Sequence, residues 1–383
     1  MADFTFKISP NIILGSYSAS RLGQFALEYG TRFMLVLDPV LRSVGIADKI
    51  TQSLTDRNVD YFVFDEFTEI AETKTVSAAL ELARKSHIHG VISAGGGKAV
   101  NIARAVCTFF NETKDIYDFT DGDVPKSAPL PLISLATTCR DPYVFTDRIP
   151  LVDSRSSKCI LFRTKSGLCK ASVFDPNLSV TLTENQTESM ALESLCLASE
   201  AFLSQKANFF SDMLAEKSIE LLNFAMNGSE SLNLTTPQEE LLTQGGCMAS
   251  LAIASSSFGP ASLLALTINA RFKISRSLVS AILFPHVIED CIKFKSAKVE
   301  RIAELFGIER QDSSSAEEFC KVFADNIRQR MAKANLPTRL KDLSVTIEQL
   351  SLAAEDAGQL EYVNSLPRSM TSDDLFDLIK TAF

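Results

Sequence analysis

The 383-residue sequence has no tryptophan and only three histidines, His87, His89 and His286. A metal site built from three imidazoles would need every histidine in the chain, and two of them lie two residues apart. Eight cysteines are present, but the closest pair, Cys159 and Cys169, is ten residues apart and no C-x-x-C occurs. That pattern excludes a zinc ribbon and a small disulfide scaffold, and buried reduced thiols are expected instead. An excess of positive charge is also missing: 38 basic against 47 acidic residues give a net charge of −9. Such a chain has no general attraction for nucleic acid or anionic membranes, so neither is expected as a partner. No apolar run reaches the about 18–20 residues that span a bilayer. The start, MADFTFKISP, lacks the basic-then-apolar pattern of a signal peptide, and a cytoplasmic location is expected. Neither a G-x-S-x-G nor a Walker motif occurs.

The rest of the composition is that of a globular chain, with 46% hydrophobic and 22% charged residues, long enough for two domains. Short apolar runs at 32–37 (RFMLVL), 61–64 (YFVF), 91–94 (VISA) and 131–136 (PLISLA) read as buried strands. Helical patterns at 39–54, 76–86 and 98–110 lie between them, so a parallel sheet with helices on its faces is expected. The polar stretch 115–130 reads as a loop. After Asp175-Pro176 strand signals almost disappear. Helical periodicity marks 187–225, 238–258, 260–270, 276–292, 297–306, 315–334, 346–357 and 371–381. The expectation is a Rossmann-like α/β domain over residues 1–180 and an all-helical domain over 181–383.

The third strand runs directly into Gly95-Gly96-Gly97 and then a helix. Glycines allow close backbone approach to a ligand, and a helix N-terminus offers free N–H groups to a phosphate. A tight strand–helix turn would use the same residues, and both readings stay open on this motif alone.

Further segments carry a resemblance. Gly95–Asn101 (GGGKAVN) resembles the GGGSxxD cofactor turn of the iron-containing (group III) alcohol dehydrogenases. Residues 8–23 are similar to that family's opening hairpin, and Asp38-Pro39 to its first strand–helix junction. Asp175-Pro176-Asn177-Leu178 resembles its domain junction and Ser280–Val287 the segment under its metal site. The likeness covers nearly the whole chain. It implies the dehydroquinate synthase-like fold with a cleft between the domains, a nicotinamide cofactor, a small-molecule substrate and a homodimer. By the same likeness Asp38, Gly95, Gly96, Gly97, Lys98, Asn101, Thr137 and Thr138 fall at cofactor-binding positions. A carboxylate at Asp38 would favour NAD over NADP, although Asp-Pro is equally a good helix start.

The sequence departs from the family at the metal. The family uses one Asp and three His; the matching positions here hold Glu193, Leu197, Ser262 and Arg276. Leu197 has no donor and Arg276 is a permanent cation, so no metal is expected. Glu193 and Arg276 would either pair where the metal would sit or point into a solvated cleft without touching, and both readings stay open. The second phosphate loop after Thr137-Thr138 reads Cys139-Arg140-Asp141-Pro142, with its glycines lost and one N–H removed by proline. Lys98, Arg140 and Arg276 would then face the cleft and favour a small anionic ligand, unless they are solvated or paired. Two functions follow from the resemblance. One is a metal-independent NAD(P)-dependent alcohol dehydrogenase or aldehyde reductase, with Glu193, Ser262, Arg276 and Arg140 as catalytic candidates. The other is a non-catalytic family member that binds a small anionic metabolite in the cleft.

Overall fold

The computed structural model describes residues 9–67, 70–165, 167–179, 182–228, 236–310 and 315–383. The chain divides into two compact units between Thr181 and Leu182.

The first unit contains, in order, β1 (Asn11–Leu14), α1 (Leu22–Leu27), β2 (Arg32–Leu37), α2 (Val40–Ser43), α3 (Ile46–Thr55) and β3 (Asp60–Phe64). It continues with α4 (Thr73–Lys85), β4 (Gly90–Gly95), α5 (Gly97–Phe109), α6 (Ile116–Thr120), β5 (Leu132–Ala136), β6 (Arg148–Asp153), β7 (Lys158–Arg163) and β8 (Cys169–Phe174). Six strands form a parallel sheet in the order β1-β8-β5-β4-β2-β3. Every residue of β4 and β5 is buried, which is why both read as continuous apolar runs rather than alternating ones. One core, with Met34, Val91, Ile102 and Val106, fills one face of the sheet; another, with Leu35, Ile92, Leu135 and Val173, fills the other. The chain runs from β2 outward to β3 and then returns to the far side of β2 as β4. The strand order therefore reverses between β2 and β4, and the crevice beyond their carboxyl ends is where open parallel sheets bind ligands.

Several expectations needed correction. The single helix expected over 39–54 is two helices, because Gly45 adopts φ 71° and breaks the run. The loop expected over 115–130 contains α6, started by a capping box of Asp115 and Asp118. The antiparallel hairpin β6–β7 and the strand β8 carried no clear signal, β6 having Pro150 at its centre. Within 8–23, expected as a hairpin, the described residues hold β1, which pairs in parallel with β8; Ile8 lies outside the described residues.

The second unit comprises α7 (Glu184–Leu203), α8 (Phe209–Asn227), α9 (Gln238–Ser255), α10 (Pro260–Phe272), α11 (Arg276–Leu305), α12 (Ala316–Lys333), α13 (Ile347–Gln359) and α14 (Ser372–Ala382). Its helix starts are written in the sequence: Thr183, Asn208, Ser315, Thr346 and Thr371 each close a capping box. Residues Ser189–Leu203 of α7 are all buried. A helix covered on every side is the centre of its bundle, and α7 packs against α8, α9 and α11. The expected helix 187–225 is interrupted at Ser204–Asn208, whereas the expected pair 276–292 and 297–306 is found as two helical stretches of α11 that meet at a kink at Lys295 (φ −133°, ψ 34°). Among the described residues no single helix is long and apolar enough to cross a membrane.

Candidate functional site

In the first unit the candidate residues gather at the reversal point of the sheet. Asp38 ends β2; its N–H donates to the Ala94 carbonyl at 2.8 Å, which fixes it beside the end of β4. Gly95 adopts φ 155°, and a Cβ there would lie 2.7 Å from the Ala99 Cβ and 3.0 Å from the Asp38 Cβ. Gly95 is thus required by the close approach of β2, β4 and α5. Gly96 is the N-cap of α5, with no side chain capping it, so the first N–H groups of this 13-residue helix remain available to an anion. A Cβ on Gly96 would lie 3.4 Å from the Thr138 Cγ2, so the turn is walled by the end of β5. The residues fit the pyrophosphate of a dinucleotide: a helix N-terminus, bare backbone, and a carboxylate on the adjacent strand end.

Lys98 does not stand as a lone cation. Its Nζ lies 3.7 Å from the Asp38 Oδ2. Asn101 is buried on the inner face of α5, and its Oδ1 has no hydrogen-bond partner. Thr137 donates its N–H to the Gly95 carbonyl at 3.3 Å, tying the ends of β4 and β5. The Thr138 hydroxyl donates to the Arg140 carbonyl at 2.9 Å, so the second loop is folded upon itself before Pro142 starts a short 3-10 turn.

In the second unit, Glu193 and Leu197 lie one turn apart on α7 and both are buried. Ser262 is in the first turn of α10, and Arg276 opens α11. The α7 helix packs against both α10 and α11. Arg140, grouped with these three as a catalytic candidate, belongs to the first unit.

A residue that sequence reasoning missed organises this region. Glu200 is completely buried on α7. Its carboxylate accepts from the N–H groups of Gly259 (3.0 Å), Ala261 (2.8 Å) and Ser262 (3.2 Å), and from the Ser262 hydroxyl (2.5 Å). It thereby supplies the N-terminal cap that Gly259 lacks. Burial pushes the Glu200 carboxyl up to about 6, against the pull of those four hydrogen bonds. Spacing could have found it: positions 193, 197 and 200 follow i, i+4, i+7 along one helix face.

The four residues that the resemblance sets at the metal, Glu193, Leu197, Ser262 and Arg276, do not suit a divalent ion. Leu197 offers carbon only, Arg276 is cationic, and the Ser262 proton is directed at Glu200. Among the described residues no three His, Cys, Asp or Glu side chains come together as a metal would need. All eight cysteines are buried. Burial, with Glu200 and Glu193 nearby, drives the Cys196 thiol well up, away from a reactive thiolate. His89 Nδ1 accepts from the Thr31 N–H, a structural role. Burial, with Arg328 nearby, lowers His286 to about 4, so it is neutral at neutral pH.

Residues 9–176 match the family model described as iron-containing alcohol dehydrogenase. Residues 188–383 match that of the Fe-containing alcohol dehydrogenase family, C-terminal. The chain is 24% identical over 354 residues to alcohol dehydrogenase 4 of Saccharomyces cerevisiae, covering 91% of this chain and 90% of that protein. The solved structure of a 1,3-propanediol oxidoreductase superposes over 100% of both chains with a TM-score of 0.90 at 22% identity. A sulfoacetaldehyde reductase from Bifidobacterium kashiwanohense, solved in complex with NAD+, superposes over 100% of this chain and 99% of its own with a TM-score of 0.83 at 19% identity. Together the two family models take in both units, the one that carries the glycine turn and the helical one: the chain belongs to the iron-containing alcohol dehydrogenase family.

Proposed function

We propose that this protein is an NAD(P)-dependent oxidoreductase that interconverts a small alcohol and its carbonyl compound without a metal. The observation that carries the reading is the glycine turn, placed beside Asp38 at the reversal point of the sheet. A bound nicotinamide dinucleotide supplies the hydride chemistry. The chain's own residues then have to bind it and to stabilise charge on the substrate oxygen. The N-terminus of α5 and Gly96 receive the pyrophosphate. Arg276 is the residue assigned to the developing negative charge on oxygen, as a cation held by the chain at a former ligand position. Glu193 pairs with Arg276 and orients it; Ser262, held by Glu200, shapes the same region. Arg140, in the second loop of the first unit, is assigned to anion binding there. The protein acts in the cytoplasm as a homodimer.

Two measurements test the reading. Ligand at about 100 times its Kd stabilises a folded protein by about 2.7 kcal/mol, so millimolar NADH or NADPH is expected to raise the melting temperature by several degrees. No shift with either nucleotide overturns the cofactor assignment. Elemental analysis of the purified protein is expected to find neither Fe nor Zn at one per chain, and stoichiometric metal overturns the metal-independent assignment.

The second loop favours another reading. Its Thr138 hydroxyl is engaged by Arg140 and Pro142 has no N–H, so it offers few donors to a dinucleotide. On that reading the protein binds a small anionic metabolite without redox chemistry. Stabilisation by phosphate or a dicarboxylate but by neither nucleotide would select it.

A further inference from the structure

The carboxylate and the cation at the reversal point bear on which dinucleotide enters. Asp38 is fixed in place: its N–H is bonded to Ala94, and its Cβ lies against the turn at Gly95. The side chain is 14% exposed, and one oxygen, Oδ1, faces the Val40 N–H at 3.4 Å. The other, Oδ2, faces the Lys98 ammonium at 3.7 Å. Lys98 stands in the first turn of α5, so its charge adds to the positive end of that helix. Arg42 on α2, four residues beyond Asp38, is held by Asp65 at 2.5 Å.

A lone carboxylate at the end of such a strand accepts hydrogen bonds from the adenosine ribose hydroxyls and repels a 2′-phosphate; a basic side chain nearby accommodates that phosphate. Here both groups are present and in contact. The pair is neutral where Asp38 alone would carry a full negative charge. An ammonium has three donors, and one directed at Asp38 leaves two for an incoming phosphate. At 3.7 Å the contact is loose, and Lys98 is on a flexible stem, so it can turn from the carboxylate to a stronger anion without backbone movement.

We propose that Lys98, placed against Asp38, makes this site accept an adenosine 2′-phosphate, so that the protein binds NADPH at least as tightly as NADH. The inference rests on the dinucleotide reading of the glycine turn and reverses the preference expected of Asp38 alone. A charged hydrogen bond of this kind changes affinity on the order of tenfold to a hundredfold.

The test is a fluorescence or calorimetric titration of the full-length protein with NADH and with NADPH, on the unaltered chain and on Lys98→Met. The unaltered protein is expected to show a Kd for NADPH no weaker than that for NADH. Lys98→Met is expected to weaken NADPH by about tenfold or more, while NADH changes by about threefold or less. The NADPH preference is also expected to shrink as salt is raised from about 0.05 to 0.5 M, because an exposed ion pair is screened. NADH binding with NADPH at least tenfold weaker overturns this inference and leaves the dinucleotide reading standing. Binding of neither nucleotide overturns both. Equal losses for both nucleotides in Lys98→Met overturn the 2′-phosphate role and assign Lys98 to the shared pyrophosphate. A melting curve of Lys98→Met matching that of the unaltered chain ensures that a loss is not unfolding.

Discussion

The glycine turn and the group Glu193, Leu197, Ser262 and Arg276 are built in different ways. The turn is made of backbone: a φ only glycine adopts easily at Gly95, an uncapped helix N-terminus, and strand ends set by the sheet. Those features are also needed for packing, since a Cβ at Gly95 would strike Ala99 and Asp38. The second group is made of side chains on packed helices: Glu193 and Leu197 on α7, Ser262 on α10 and Arg276 on α11. A site written in backbone geometry persists with the fold; one written in side chains can be replaced while the fold is kept.

The largest effect that would break this comparison lies at Glu200. Glu200→Ala removes the acceptor for three buried N–H groups and one hydroxyl. It is expected to lower stability by about 3 kcal/mol or more in urea denaturation. A loss under about 1 kcal/mol would mean that α10 does not depend on this carboxylate.

The turn should break in the opposite manner. Gly95→Ala is expected to cost about 2 kcal/mol through its crowded Cβ. It is also expected to abolish nucleotide stabilisation in a thermal shift, which separates a cofactor turn from a merely structural one.

Acidity gives the next effect. The folded Glu200 carboxyl titrates at about 6, above its ordinary value of 4.5. Between those values the unfolded chain has already lost the proton that the folded chain keeps. This group's contribution is therefore fully present below about pH 4.5 and is lost as pH rises through 6, an effect of about 2 kcal/mol. Glu200→Gln is expected to remove that slope from the pH profile of unfolding. A variant with the same slope as the unaltered chain would assign the effect to another group.

The smallest effect is at Ser93, a fully buried hydroxyl on β4 without a hydrogen-bond partner. Ser93→Ala is expected to change stability by less than about 1 kcal/mol, and towards greater stability. A clear loss would reveal an ordered water bound there, seen as a density peak beside the hydroxyl in a crystal structure.

Legibility in the sequence followed the range of the interaction. The helical unit was legible through its apolar periodicity, while its capping boxes, as in Thr183 with Gln186 and Ser315 with Glu318, are local signals that place the starts more sharply. The central strands β2, β4 and β5 were legible as short apolar runs. The strands β6, β7 and β8 were not: Pro150 obscures β6, β7 pairs with β6 alone in a two-stranded hairpin, and β8 owes its pairing to the distant β1 and β5. At the site, the glycine turn could be read directly. The contact between Asp38 and Lys98 could not, because sixty residues separate them and only the sheet order brings them together. Glu200 was legible in principle, but a buried acid is recognised only once its acceptor role is seen at Gly259 and Ser262.

The pairing of β1 with β8 sets a condition on how the chain folds during synthesis. Asn11–Leu14 has as its sheet partner Ala171–Phe174, and the N–H groups of Tyr17 and Ala19 are received by Asp175. About 160 residues must leave the ribosome before that edge strand finds its neighbour, which at about 5–20 residues per second takes roughly 10–30 seconds. Until then the opening segment is an unpaired strand in search of an edge, so its folding is gated by translation rather than by its own closure rate.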